Sequence, residues 1–201
     1  MRLVAIAIAL VASQAVRAQG LSQTVYAPGD GAPNSITLPI LVTASVGGRC
    51  GFAPGALPQG TYDAGAIDSA AWGKQFPFSL ECTGPSRVAV VSSNGGLLNA
   101  SAGTLAPGYA ALAPYTVAVH LVGGSSTADD NCAVSTLTAS ASGPCSFRGP
   151  SSQTQGLYLS SPSYDVTGSY IQVSAPAYSG SSVLVNGNYT DTLTVTVSAS
   201  I

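Results

Sequence analysis

The sequence predicts an all-β protein folded as an antiparallel β-sandwich, and three observations carry that prediction. First, the last thirteen residues, Tyr189–Ile201, alternate strictly. Leu193, Val195, Val197, Ala199 and Ile201 fall on one side of an extended chain, and Thr192, Thr194, Thr196, Ser198 and Ser200 on the other. Second, short runs of the same period recur between Gly-, Pro- and Asn-rich breaks, and no segment carries a helical period. Third, the 46% apolar content is too high for a disordered chain, while 7% charged and 7% aromatic residues suit an exported β protein.

The amino terminus reads as a secretory signal peptide. Met1-Arg2 supplies a positive start, Leu3–Ala12 a short apolar run, and Val16-Arg17-Ala18 a permitted cleavage site after Ala18. That run is too short to span a bilayer and nothing later is longer, so no membrane insertion is expected. Without residues 1–18 the chain keeps Arg49, Lys74, Arg87 and Arg148 against eight acids, a net charge of −4. A weakly acidic chain with no basic patch argues against nucleic acid or anionic membrane as a partner. The remaining length fits one domain. Cys50, Cys82, Cys132 and Cys145 all follow the signal peptide, which implies disulfides made in an oxidising compartment. Three pairings are open to them. There is no C-x-x-C spacing and only one histidine, so neither zinc nor another cofactor is expected.

Along the chain, residues 19–35 form a polar leader, with Pro28, Gly29, Gly31 and Pro33 favouring flexibility. Ile36, Leu38, Ile40, Val42, Ala44 and Val46 then share one face of an extended run. Pro39 inside it fits an edge strand or an interruption. Residues 51–75 read as a loop with a short strand near Thr61-Tyr62. Phe76, Phe78, Leu80 and Cys82 resume the alternation. Arg87–Val91 is a strand, Ser92–Gly96 a hairpin turn and Leu97-Leu98 the return. Residues 99–113 are irregular. Tyr115, Val117, Val119 and Leu121 alternate up to Gly123-Gly124. Residues 125–155 read as a surface loop without a core of its own, which a local Cys132–Cys145 bridge would pin, leaving Cys50 for Cys82. Further strands are expected at 157–159, 170–173 and 183–185, with Asn186-Gly187-Asn188 turning into the last one.

No residue set points to catalysis, and the chain is not expected to be an enzyme. His120 lacks a nucleophile and an orienting partner nearby in sequence. Asp129-Asp130-Asn131 lacks calcium-loop spacing and reads as a solvated turn. Asp63, Asp68, Glu81, Asp165 and Asp191 are scattered rather than paired for glycoside cleavage. The triplets starting at Asn99 and Asn188 match a glycosylation acceptor by coincidence. Tyr62, Trp72 and Tyr109 could form a sugar-binding surface, but capping the ends of the sandwich is the favoured role.

A family resemblance rests on four stretches. An alternating run ends at Cys50, and Phe78-x-Leu80-x-Cys82 follows. Pro114-Tyr115-Thr116-Val117-x-Val119 precedes a glycine turn, and Gly187-x-Tyr189-Thr190-Asp191 opens the terminal β tail. Over most of residues 36–201 the chain resembles the spore coat protein U-like domain of archaic chaperone–usher pilins. The resemblance implies an immunoglobulin-like sandwich that lacks its last strand and is completed by a donor strand from another molecule. Its implied partners are a periplasmic chaperone, an outer-membrane usher and neighbouring pilin subunits. Its implied role is a structural subunit of a secreted surface pilus serving attachment and biofilm formation, with a tip or monomeric adhesin as the alternative. Carried onto this chain, Ile36, Leu38, Ile40 and Val42 would be the inserted side chains, with 21–27 as an alternative donor. Leu193, Val195 and Val197 would line the acceptor groove, and Gly187, Tyr189 and Asp191 would fix the turn into the last strand. The Cys132/Cys145 pair is additional to the family pattern.

Overall fold

The computed structural model describes Leu41, Thr43, Ala44 and residues 48–200. The expected signal peptide and leader, the candidate donor side chains Ile36, Leu38, Ile40 and Val42, and Ile201 lie outside the described residues. The chain divides into two units at Ala44 and Ser45, and the fold below belongs to the second.

Strands are β1 (Trp72–Leu80), β2 (Ser86–Ser92), β3 (Leu97–Leu98), β4 (Tyr109–Ala110), β5 (Leu112–Ala113), β6 (Thr116–Val122), β7 (Thr127–Ala133), β8 (Leu157–Leu159), β9 (Val166–Ala175), β10 (Val183–Leu184) and β11 (Leu193–Ala199). They build an all-β sandwich. One antiparallel sheet has the order β1-β9-β6-β7 and the other β11-β2-β8, with two-residue ribbons β3–β5 and β4–β10 beside them. The only helical element among the described residues is a 3-10 turn at Val134–Leu137.

Period-2 sequence dictates how the sheets face each other. On β6, Val117, Val119 and Leu121 are buried while Thr116, Ala118 and His120 point away. Phe78 and Leu80 of β1, Ile171 and Val173 of β9, Val88 and Val90 of β2, and Leu157 and Leu159 of β8 join them in one core. Each such side chain contributes about 1.5–3 kcal/mol on burial. A one-residue slip would turn the whole set to solvent, so the pattern also fixes the register. β2 is buried on both faces, because residues 151–156 cross its outer side. There Arg87 donates to the Gln153 and Gly156 carbonyls (3.0 and 2.9 Å), and Ser151 N–H donates to Thr196 Oγ1 (2.8 Å).

Several expectations are corrected. Thr61-Tyr62 is not a strand, and β1 begins at Trp72, ahead of the alternation expected from Phe76. Ser92–Gly96 does not make a hairpin: β3 pairs with β5, while β2 pairs with β11 and β8. Asp129 and Asp130 lie in β7, a full partner of β6, and not in a solvated turn. The 125–155 region is not a loop without a core. Val134, Leu137 and Phe147 are fully buried there, and the Phe147 carbonyl accepts from Val90 N–H at 2.7 Å.

The disulfides are Cys50–Cys82 and Cys132–Cys145. The first ties the start of the domain to the chain just after β1. The second joins the end of β7 to the segment carrying Phe147. Phe147→Ala is expected to lower stability by about 3–5 kcal/mol, since the ring fills a closed space; urea denaturation measures it. Replacing Cys50 and Cys82 by serine is expected to cost about 2–5 kcal/mol, read from the same curves.

Candidate functional site

The turn that leads into β11 anchors the site. Gly187 has φ +149°, and a Cβ there would collide with the side-chain amide of Asn99, so glycine is required. Tyr189 then places its hydroxyl 2.8 Å from the Val185 carbonyl and 3.2 Å from that of Ala110. Leu98 and Thr190 exchange both backbone hydrogen bonds (2.9 and 3.0 Å). Asp191 comes next and its carboxylate gathers five donors. Ser92 Oγ (2.6 Å) and Tyr115 Oη (2.9 Å) donate to Oδ2. Ser93 Oγ (2.8 Å), Asn94 N–H (3.1 Å) and Thr192 N–H (2.8 Å) donate to Oδ1.

From this anchor β11 runs along β2 through seven paired residues, Leu193↔Ser92 to Ala199↔Ser86. Among the described residues its other long side has no strand partner. Among the described residues β1, the edge of the opposite sheet, is also unpaired on its outer side along Trp72–Phe76. Farther along, residues 51–56 cover it, with Ser79 exchanging bonds with Ala53 and Ala56 and Glu81 N–H donating to the Gly51 carbonyl. Between these two edges opens a cleft of about 600 Å³. Trp72 and Phe76 of β1, Ile171 and Val173 of β9, and Leu193 and Val195 of β11 form its apolar walls, with Tyr115 and Asp191 at one end. Val197 packs against the core farther along β11 and does not line it.

The cleft is aromatic at its mouth. Tyr62 packs at a tilt against Trp72 and Trp72 against Tyr115, with ring centroids 6.2 and 5.7 Å apart. Trp72 thus lies between two tilted rings, while Tyr109, exposed on β4, is not among the residues that line the cleft. Burial pushes the Tyr115 phenol far above its ordinary value of 10.0. The charge of Asp191 and the hydrogen bond to it push the same way.

The other candidates fall elsewhere. His120 contacts Asp129 across the β6–β7 pair and stacks on Tyr170 at 4.9 Å, on the face of the sheet away from the core. Asp130 accepts from Ser146 N–H (3.1 Å) beside Cys132 and Cys145, whose sulfurs are bonded to each other and so are not metal ligands. Asn99 is buried and donates to the Asn186 carbonyl at 3.3 Å, which removes it as a glycosylation acceptor. Among the described residues no helix is long and apolar enough to cross a membrane.

Sequence reasoning named Leu193, Val195 and Asp191 but missed Trp72 as a cleft wall. Trp72 shares the parity of Phe76, Phe78 and Leu80; Gly73 and Lys74 between them hid it. The serines that hold Asp191 carry no sequence signal of their own. Comparison with protein families, with characterised proteins and with solved structures returns no match for this chain.

The Tyr115–Asp191 pair gives a pH test. Native Tyr115 keeps its proton where the unfolded chain releases it, so stability is full below pH 10 and is lost as pH rises above it. The expected loss is up to about 1.4 kcal/mol per pH unit. Tyr115→Phe should flatten that slope in denaturation curves recorded from pH 8 to 11; an unchanged slope would show that another group causes it.

Proposed function

We propose that this chain is a structural subunit of a secreted surface fibre, assembled by β-strand addition. The occupant of the cleft is the apolar run of a second copy, with Ile36, Leu38, Ile40 and Val42 pointing inward. The observation that carries this reading is the edge of β11 that has no strand partner among the described residues, backed by an apolar cleft, in a chain with such a run upstream. An added strand would satisfy backbone donors and acceptors along β11 and set its alternate side chains into the cleft.

The domain's own connectivity favours a second copy over self-insertion. Residues 51–56 run antiparallel to the Ser79–Glu81 end of β1, and Arg49 N–H donates to Thr83 Oγ1 (3.1 Å). The chain therefore joins the domain at the end where Ser200 N–H meets the Pro85 carbonyl, opposite the Trp72–Leu193 mouth. From there a molecule's own upstream segment could reach its cleft only parallel to β11. Another molecule can offer an antiparallel strand, the pairing slightly more stable per residue. The resemblance to spore coat protein U-like pilins supplies the remaining partners of this reading: a periplasmic chaperone that occupies the cleft before assembly and an outer-membrane usher that exchanges it. Two disulfides fit passage through an oxidising compartment. Attachment and biofilm formation are the roles such a fibre would serve.

A mixing experiment tests the reading. Leu38→Asp with Ile40→Asp disables the donor, because a charge cannot enter an apolar cleft without a partner; Val195→Asp disables the acceptor. Each variant alone is expected to stay monomeric, and a mixture is expected to stop at dimers in light scattering. Long fibres from either variant, or a mixture that stays monomeric, would refute the assignment.

A further inference from the structure

We propose that residues 57–65 form a strap that closes over the segment lodged in the cleft, with Tyr62 as its clasp. This rests on the reading of the cleft as a strand acceptor and adds to it a third wall that governs release.

The strap is fixed at both ends and free between them. At one end the Ala56 carbonyl accepts from Ser79 N–H at 3.0 Å; at the other the Ile67 carbonyl accepts from Tyr178 N–H at 2.9 Å. Gly55 (φ +78°) and Gly65 (φ +67°) occupy the left-handed backbone region beside these anchors, where the chain leaves the body and returns to it. From Leu57 to Gly65, among the described residues, every hydrogen bond stays inside the strap: Gln59 N–H to the Leu57 carbonyl and Gly65 N–H to Asp63 Oδ1, both 2.9 Å. A swing of this segment therefore breaks no backbone bond to the rest of the domain.

What the strap does touch is the cleft itself. Pro58 to Tyr62 line it, Gly60 lies against the Phe76 ring, and Tyr62 rests on Trp72. Both ring contacts are with the β1 wall, and none of the strap's hydrogen bonds reaches β11. The strand position along β11 is thus left to an incoming segment, while the strap borders the cleft from the β1 side. An extended segment seated on β11 would have its outer side covered by the strap, so expelling it requires Tyr62 to leave Trp72 first. Interface changes of this kind act mainly on dissociation.

Trp72 is the only tryptophan, so its emission reports on the cleft directly. The experiment uses the full mature chain carrying Leu38→Asp and Ile40→Asp, mixed with a synthetic peptide of residues 34–46 in stopped flow. The peptide is expected to shift Trp72 emission. Adding Tyr62→Ala is expected to speed release about three- to tenfold with association unchanged, and Tyr62→Phe to restore the parental rate. If the peptide binds but leaves at the parental rate after both Tyr62→Ala and deletion of residues 59–64, the strap has no such role and the acceptor cleft stands. Tighter binding after the deletion would make the strap a competitor and overturn the proposal. No binding by any variant, the parent included, would overturn the acceptor reading and the strap with it.

Discussion

The Asp191 carboxylate is the contact on which the rest of this sandwich is hung. It is an acceptor-only group whose two oxygens take donors from three separate stretches: the end of β2 with the turn after it, the residue that leads into β6, and the residue that leads into β11. β2 and β11 belong to one sheet and β6 to the other, so this one side chain sets the spacing of the two sheets at the mouth of the cleft. Hydrogen bonds to an ionised group are roughly twice as strong as neutral ones. Its partners are hydroxyls and amides, so the cluster holds a negative charge by directed donors. It also leaves Tyr115 with its ring against Trp72 and its hydroxyl satisfied. A shift of Asp191 would therefore move the cleft's aromatic end and the register of β11 together.

The sheet edges show why β11 stands out. β1 carries Lys74 and Pro77 and is covered by residues 51–56 along its second half. β7 bears Asp129 and Asp130. β8 is three residues long, and the side of β2 it leaves open is taken up by bridges to Arg148 and Thr138. Charge, proline, brevity and cover are the devices by which proteins protect an exposed edge. Among the described residues β11 has none of them: seven residues without charge or proline, its apolar side only half-buried at Leu193, Val195 and Val197. Three protected edges thus stand beside one unprotected edge, backed by an apolar cleft, and that contrast is what the proposed strand addition rests on.

Strands that are regular and buried on one face were legible in the sequence. β6 and β11 announce themselves by strict alternation, and β9 and β10 lie where their apolar runs predicted. β7 was not legible, since its inward positions are Ala128, Asp130 and Cys132, too small or polar to show a period. It becomes a strand because all seven of its residues pair with β6, and its inward Asp130 is satisfied by Ser146. The Ser92–Gly96 turn misled for a different reason. Its local chemistry suits a hairpin, but Asp191, nearly a hundred residues later, captures Ser92, Ser93 and Asn94 and directs the chain across to β5. Tertiary contact overrode a correct local signal. The same holds for Phe147, an isolated aromatic in a polar stretch that the Cys132–Cys145 bridge brings to the core.

The placement of the other disulfide links these features. If the upstream segment is held in a neighbouring molecule, a pull along the fibre arrives at Arg49 and Cys50. Without a covalent link that load would pass through residues 51–56, the weakly bonded strap and the edge strand β1. The Cys50–Cys82 bond bypasses all of them and delivers it to the turn before β2. β2 is the central strand of its sheet, buried on both faces and paired with β11 along its whole length. Force from the segment a molecule lends would therefore run through a covalent bond and one antiparallel ladder to the strand that receives the next segment, without opening the cleft on the way. The soft elements would lie off that line, which would leave the strap free to move in a fibre under load.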